Sequence, residues 1–182
     1  SERLALPEGM DPWFALPVSL DGQGPPDIVV TGDSTVVFRN DGGLTFTSNE
    51  RFVGFGPARR FLAAPLDEDA FPDLLVVAHG SLTVVRQSSD VQSFRTPQVD
   101  EMFTFDSKTK GLESADFDRD RIQDFVVVNE GPRTFVEVFF GLADGHFTRR
   151  RVQIDGMNSA QEPTLADVDA DGLEDIVVPV PE

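Results

Sequence analysis

An aspartate ladder followed by an apolar run occurs four times in this chain, and that recurrence narrows the fold more than any other feature. The fourth copy is the most regular: Asp167, Asp169, Asp171, Gly172 and Asp175, then Ile176-Val177-Val178. The third copy is Asp116, Asp118, Asp120 and Asp124, then Phe125-Val126-Val127-Val128. The second keeps Asp67, Asp69 and Asp73 before Leu74-Leu75-Val76-Val77, and the first keeps only Asp21 and Asp27 before Ile28-Val29-Val30. The last aspartates, at 27, 73, 124 and 175, are spaced by 46, 51 and 51 residues. A fixed period of this size means one supersecondary unit used repeatedly.

Each unit reads as four short strands. In the third, Gly111 to Phe117 precedes the acidic loop and Asp124 to Asn129 follows it. Thr134 to Phe140 is rich in β-branched and aromatic residues, and the turn Gly141 to Gly145 leads into Arg150 to Ile154. The run after each ladder is almost continuously apolar, whereas a strand with one wet face would alternate. Burial on both faces, four strands per unit and a period near fifty predict an all-β chain of β-propeller blades, each of four antiparallel strands. The expected division of residues 1–182 is an N-terminal segment 1–14, blade one at 15–58, blade two at 59–110, blade three at 111–160 and the first half of blade four at 161–182. That makes about three and a half blades, read as part of a larger ring. The half-blade would leave an open edge and an apolar face, to be covered by further sequence or by a second copy of the chain.

Composition removes several function classes. The net charge of −17 repels nucleic acid and anionic membranes and attracts cations. With no cysteine there are no disulfides, thiolate metal sites or cysteine nucleophiles. No apolar run is long enough to span a membrane as a helix. The start, Ser1-Glu2-Arg3-Leu4, does not look like a signal peptide, so the expectation is a processed chain or a fragment. His79 and His146 fall in different repeats, and no phosphate loop or nucleophile elbow is present, so the chain is not expected to be an enzyme. The sixteen phenylalanines are expected to fill the spaces between blades, and Arg149-Arg150-Arg151 to alternate along an outer strand with two of its side chains in solvent.

Alternate carboxylates in a tight loop suit a hard cation. Calcium takes six to eight oxygen ligands at about 2.3–2.6 Å. The fourth copy offers Asp167, Asp169, Asp171, Asp175 and the Leu173 carbonyl; the third offers Asp116, Asp118, Asp120, Asp124 and the Ile122 carbonyl. The second has Pro65 and Ala70 in place of a ligand and a glycine, and should bind more weakly through Asp67, Asp69 and Asp73. The first should be weak or empty. A lone aspartate in a turn is best read as a turn former, but four at alternate positions without lysine nearby would repel one another unless a cation intervenes. About two to three structural Ca2+ ions are expected.

The ladder with its Asp-Ile-Val-Val continuation, and downstream Asn40-Asp41-Gly42-Gly43-Leu44-Thr45-Phe46 or Asp144-Gly145-His146-Phe147-Thr148, resembles the FG-GAP/VCBS repeat. The resemblance implies a propeller of the integrin α-subunit type, usually of about seven blades, with calcium between the first and second strands of some blades. It also implies an extracellular, cell-surface or periplasmic setting and a role in adhesion, protein or glycan binding or scaffolding. The alternative is a carbohydrate-active propeller, a lectin, polysaccharide lyase or hydrolase, which would need exposed aromatics around a carboxylate pair; Trp13 is the one tryptophan available.

Overall fold

The computed structural model describes residues 4–20, 24–42, 45–52, 58–67, 71–78, 80–86, 99–105, 108–131, 133–154 and 159–179. No helix occurs among them. Fourteen strands are arranged in four antiparallel sheets. The first sheet contains β1 (Pro12–Val18), β2 (Asp27–Gly32), β3 (Thr35–Asn40) and β4 (Phe46–Phe52). The second contains β5 (Arg60–Ala64), β6 (Asp73–Ala78), β7 (Ser81–Val85) and β8 (Val99–Thr104). The third contains β9 (Lys108–Ala115), β10 (Asp124–Glu130), β11 (Thr134–Gly141) and β12 (Phe147–Ile154), and β13 (Thr164–Ala166) pairs with β14 (Asp175–Val177). Within each four-stranded sheet the spatial order follows the chain order, which is the up-and-down meander of a propeller blade. Two details depart from the expected boundaries. Pro12, Trp13 and Phe14 already belong to β1, and β9 begins at Lys108, ahead of Gly111.

The chain forms two compact units, Ser1–Pro65 with Asp69–Met102, and Leu66–Glu68 with Phe103–Glu182. In the first unit, Val18, Leu20, Val29 and Val37 of the first sheet pack with Phe61, Leu74, Val76 and Val85 of the second. In the second unit, Val126, Val128, Val136 and Val138 pack with Leu165, Ile176 and Val178. The apolar runs of the second and third copies are buried on both faces, as their composition requires: Leu74 to Val77 and Phe125 to Val128 are each at most 1% exposed, while Ile176 to Val178 of the fourth are half-buried. The opposite face of the third sheet carries Phe125 stacked on Phe139, with ring centres 4.5 Å apart, and Phe103 and Phe147 set at an angle to them. Each pair of consecutive sheets in a unit thus shares one apolar layer. The acidic loops join the first strand of a sheet to the second, where the chain leaves that layer.

Candidate metal centre

The acidic loop of the third sheet joins β9 to β10 and spans 116–123; that of the fourth joins β13 to β14 and spans 167–174. Both turn tightly by placing their fourth and sixth residues in the left-handed region. Arg119 and Arg121 have φ of 67° and 72°; their counterparts Ala170 and Gly172 have 61° and 84°. Gly172 adopts this conformation without a steric penalty, while an L side chain there costs roughly 1–2 kcal/mol. The turns are held by aspartates accepting from their own backbone. Asp116 Oδ2 accepts from Arg121 N (2.9 Å) and Asp120 Oδ1 from Ile122 N (2.7 Å). One repeat later, Asp167 Oδ2 accepts from Gly172 N (3.0 Å) and Asp171 Oδ1 from Leu173 N (2.8 Å). The same local chemistry therefore gives the same loop twice.

The last aspartate of the ladder has a different duty. Asp124, fully buried at the start of β10, accepts from Phe117 N through Oδ2 and from Gly141 N through Oδ1, each at 2.8 Å. It ties the entry of the acidic loop to the end of β11. Gly141 lies so close that a Cβ on it would meet Ile122 Cγ2 at 2.6 Å and the Gln123 carbonyl oxygen at 2.8 Å. Burial pushes the Asp124 carboxyl up to about 6 against the two hydrogen bonds that lower it, and the charges of Asp118 and Asp120 push the same way as burial. Asp27 repeats the arrangement in the first sheet, accepting from Leu20 N (3.3 Å) and Asn40 N (2.8 Å). Asp175 accepts from Val168 N (2.9 Å). In all three loops the donor stands seven residues before the acceptor, so this bridge is part of the repeat itself. Asp73, also buried, receives Arg86 Nη1 at 3.1 Å.

Among the described residues two groups of three carboxylates converge, with one oxygen from each member lying within 4.8 Å of the others. In the third-sheet loop they are Asp116, Asp118 and Asp120; in the fourth they are Asp167, Asp169 and Asp175. Asp124 and Asp171, each expected among the four carboxylate ligands of its loop, stand outside these groups. Ile122 and Leu173, expected to offer carbonyls, donate their N–H groups to the third rung of their own loops. In the second copy Asp67 is exposed and Asp73 is paired with Arg86, while Asp69 lies outside the described residues, as does Asp21 of the first. The donor set of the two loops fits a hard divalent cation, being oxygen only and anionic. Asp116 adds a more particular sign: its Oδ1 is shielded from solvent and has no hydrogen-bond partner, although its other oxygen caps the turn. A cation between Asp116, Asp118 and Asp120 would satisfy that oxygen and relieve the repulsion among the three.

Sequence reasoning missed two sets of residues. Arg119 crosses from one acidic loop to the next: its Nη2 donates to the Asp171 main-chain carbonyl and lies 3.7 Å from Asp171 Oδ1. The second set spans the third sheet. Thr109 Oγ1 donates to Asn129 Oδ1 (2.8 Å), Asn129 Nδ2 to Glu137 Oε2 (2.6 Å), and Glu137 Oε1 accepts from Arg149 Nε (2.8 Å) and Arg151 Nε (2.6 Å). Glu137 is 1% exposed. The arginine run therefore does not simply face solvent. Arg149 and Arg151 turn to Glu137, and Arg150 alone takes the opposite face, over the Phe140 ring. A glutamate between valines, opposite a strand of arginines, was the available signal. His146 sits in the turn before β12, exposed, and His79 lies outside the described residues.

The family model of the FG-GAP-like repeat matches residues 116–178. The match begins at the first carboxylate of the third-sheet loop and ends just past β14, so it takes in both convergent groups and strands β10 to β12 of the third sheet. None of the curated proteins matches the chain. Residues 116–178 of this chain are accordingly similar to an FG-GAP-like repeat, and their antiparallel meander has the form of β-propeller blades.

Proposed function

We propose that this chain is a calcium-stabilised propeller module of an extracytoplasmic protein, and that it serves protein binding or adhesion and not catalysis. The observation that carries the calcium reading is the recurrence of three convergent carboxylates at the same place in consecutive repeats. The orphaned Oδ1 of Asp116 supports it. Asp116, Asp118 and Asp120 would hold one ion and Asp167, Asp169 and Asp175 another, with backbone carbonyls and water completing each shell. The ion's role would be structural, since it would neutralise a loop that otherwise gathers three like charges. Sites of this kind, exposed and rich in water, suit the affinity range of about 10⁻⁴–10⁻³ M typical of extracellular modules, where calcium is abundant. The repeat match supports a binding or adhesion role.

The test is calcium titration of the chelator-treated protein by calorimetry, with melting followed in parallel. Ion binding to the folded state alone raises stability by about 2.7 kcal/mol when free calcium is one hundred times its dissociation constant. A melting temperature unmoved by chelator and calcium, with no heat of binding, would refute the reading.

A further inference from the structure

The two acidic loops have the same backbone but gather different carboxylates, and the difference falls on one rung. In the third-sheet loop the third rung, Asp120, converges with the first two. In the fourth loop its counterpart, Asp171, does not, and Asp175 takes its place. Asp171 is the residue on which Arg119 rests: the guanidinium donates to its carbonyl, stands 3.7 Å from its Oδ1, and lies beside Gly172, whose Cβ position would be 3.6 Å from Nη2. Arg119 itself occupies a left-handed position, which its counterpart Ala170 shares without a side chain able to reach a neighbouring loop.

We propose that Arg119 sets the cation affinity of the fourth loop, acting as a tethered competitor that occupies the third rung. This rests on the calcium reading above and refines it. A guanidinium is permanently charged, so while it donates to the Asp171 carbonyl it also attracts the Asp171 carboxylate 3.7 Å away. An ion entering the fourth loop must then either bind through Asp167, Asp169 and Asp175 with Asp171 withheld, or displace the arginine. The third-sheet loop has all three of its first rungs converging. It therefore fills first, although the fourth carries the more regular ladder and the turn glycine. Arg119 belongs to one loop and contacts the other, so it also links the two binding events.

Calcium titration followed by amide NMR separates the loops, through Arg121 and Ile122 for the third sheet and Gly172 and Leu173 for the fourth. In the wild-type protein the first pair should saturate at lower calcium. Arg119→Gln should tighten the fourth loop by about tenfold, the effect of freeing the Asp171 carboxylate to face a divalent ion under solvent screening. In the Asp171→Asn background the same substitution should change the fourth loop by less than about threefold. A fourth loop that fills first, or within twofold of its wild-type affinity in Arg119→Gln, would overturn the proposal, as would equal tightening with Asp171→Asn. If neither loop responds to calcium in any of these proteins, it is the underlying calcium reading that fails. Saturation of the third-sheet loop alone, in wild type and Arg119→Gln alike, leaves that reading standing and overturns the role of Arg119.

Discussion

Replacing Asp124 and Asp116 in turn separates the two duties of the acidic ladder. Asp124→Ala removes the acceptor of two backbone N–H groups, each held at 2.8 Å. The Gly141 donor is buried, and leaving such a group unsatisfied costs about 1–3 kcal/mol. The Phe117 donor is only partly buried, so water can recover some of its bond and its loss adds about 1 kcal/mol. Gly141 packs against Ile122 and Gln123, which limits the collapse that could compensate. The expected loss is therefore about 2–4 kcal/mol, a large part of the stability of an ordinary domain. For a chain of this length that lowers the melting temperature by roughly 4–16 °C. Asp116→Ala removes a loop carboxylate that caps Arg121 N, so without metal it should cost under about 1 kcal/mol. Urea unfolding in chelator and again in calcium is the assay. Asp124→Ala should be unstable in both conditions. Asp116→Ala should match wild type in chelator and lose most of the stabilisation that calcium gives. Asp124→Ala within about 1 kcal/mol of wild type in chelator would refute the bridging argument.

Three further outcomes follow from the same geometry. Because burial lifts Asp124 from its ordinary 3.8 to about 6, the folded protein binds this proton more tightly than the unfolded chain. In chelator its contribution should be fullest below pH 4, decline between about pH 4 and 6 and stay constant above; carboxyl NMR of Asp124, and the stability difference from Asp124→Asn across that range, would check it. Glu137→Ala should cost about 3 kcal/mol in urea unfolding, since it strips Arg149, Arg151 and Asn129 of a buried acceptor, while Arg150→Ala on the other face should cost under about 1 kcal/mol. Arg121→Gly should stabilise the protein by up to about 1 kcal/mol, because φ of 72° strains any side chain but suits the glycine already found at the equivalent position 172; a measured loss would show that the arginine side chain contributes something its backbone strain does not reveal.

Much of the architecture was legible in the chain itself. Period, turn residues and the unbroken apolar runs Leu74 to Val77 and Phe125 to Val128 specify strands buried on both faces, and the sheets have that form. Four strands per unit hold in the second sheet as well, where β8 completes the set. The loops were legible for a related reason. Turning and capping in 116–123 and 167–174 depend on residues within a few positions of one another, so spacing alone carries the information.

What the sequence by itself determined is thus the local part: where strands and acidic loops fall, and that several carboxylates meet in each of two loops. The tertiary structure decided the assignment of individual oxygens. Asp124 and Asp120 differ little as letters in a ladder, but Asp124 reaches Gly141, seventeen residues away, and becomes a buried bridge. Asp171 and Asp120 are equivalent by repeat, but Asp171 meets Arg119 from fifty-two residues earlier and leaves the convergent group. Glu137 is an unexpected charge in an apolar strand until β12 brings two arginines to it. A carboxylate responds to whatever donors and charges stand within a few ångströms, and for these residues that company arrives only when distant strands pair and consecutive sheets pack.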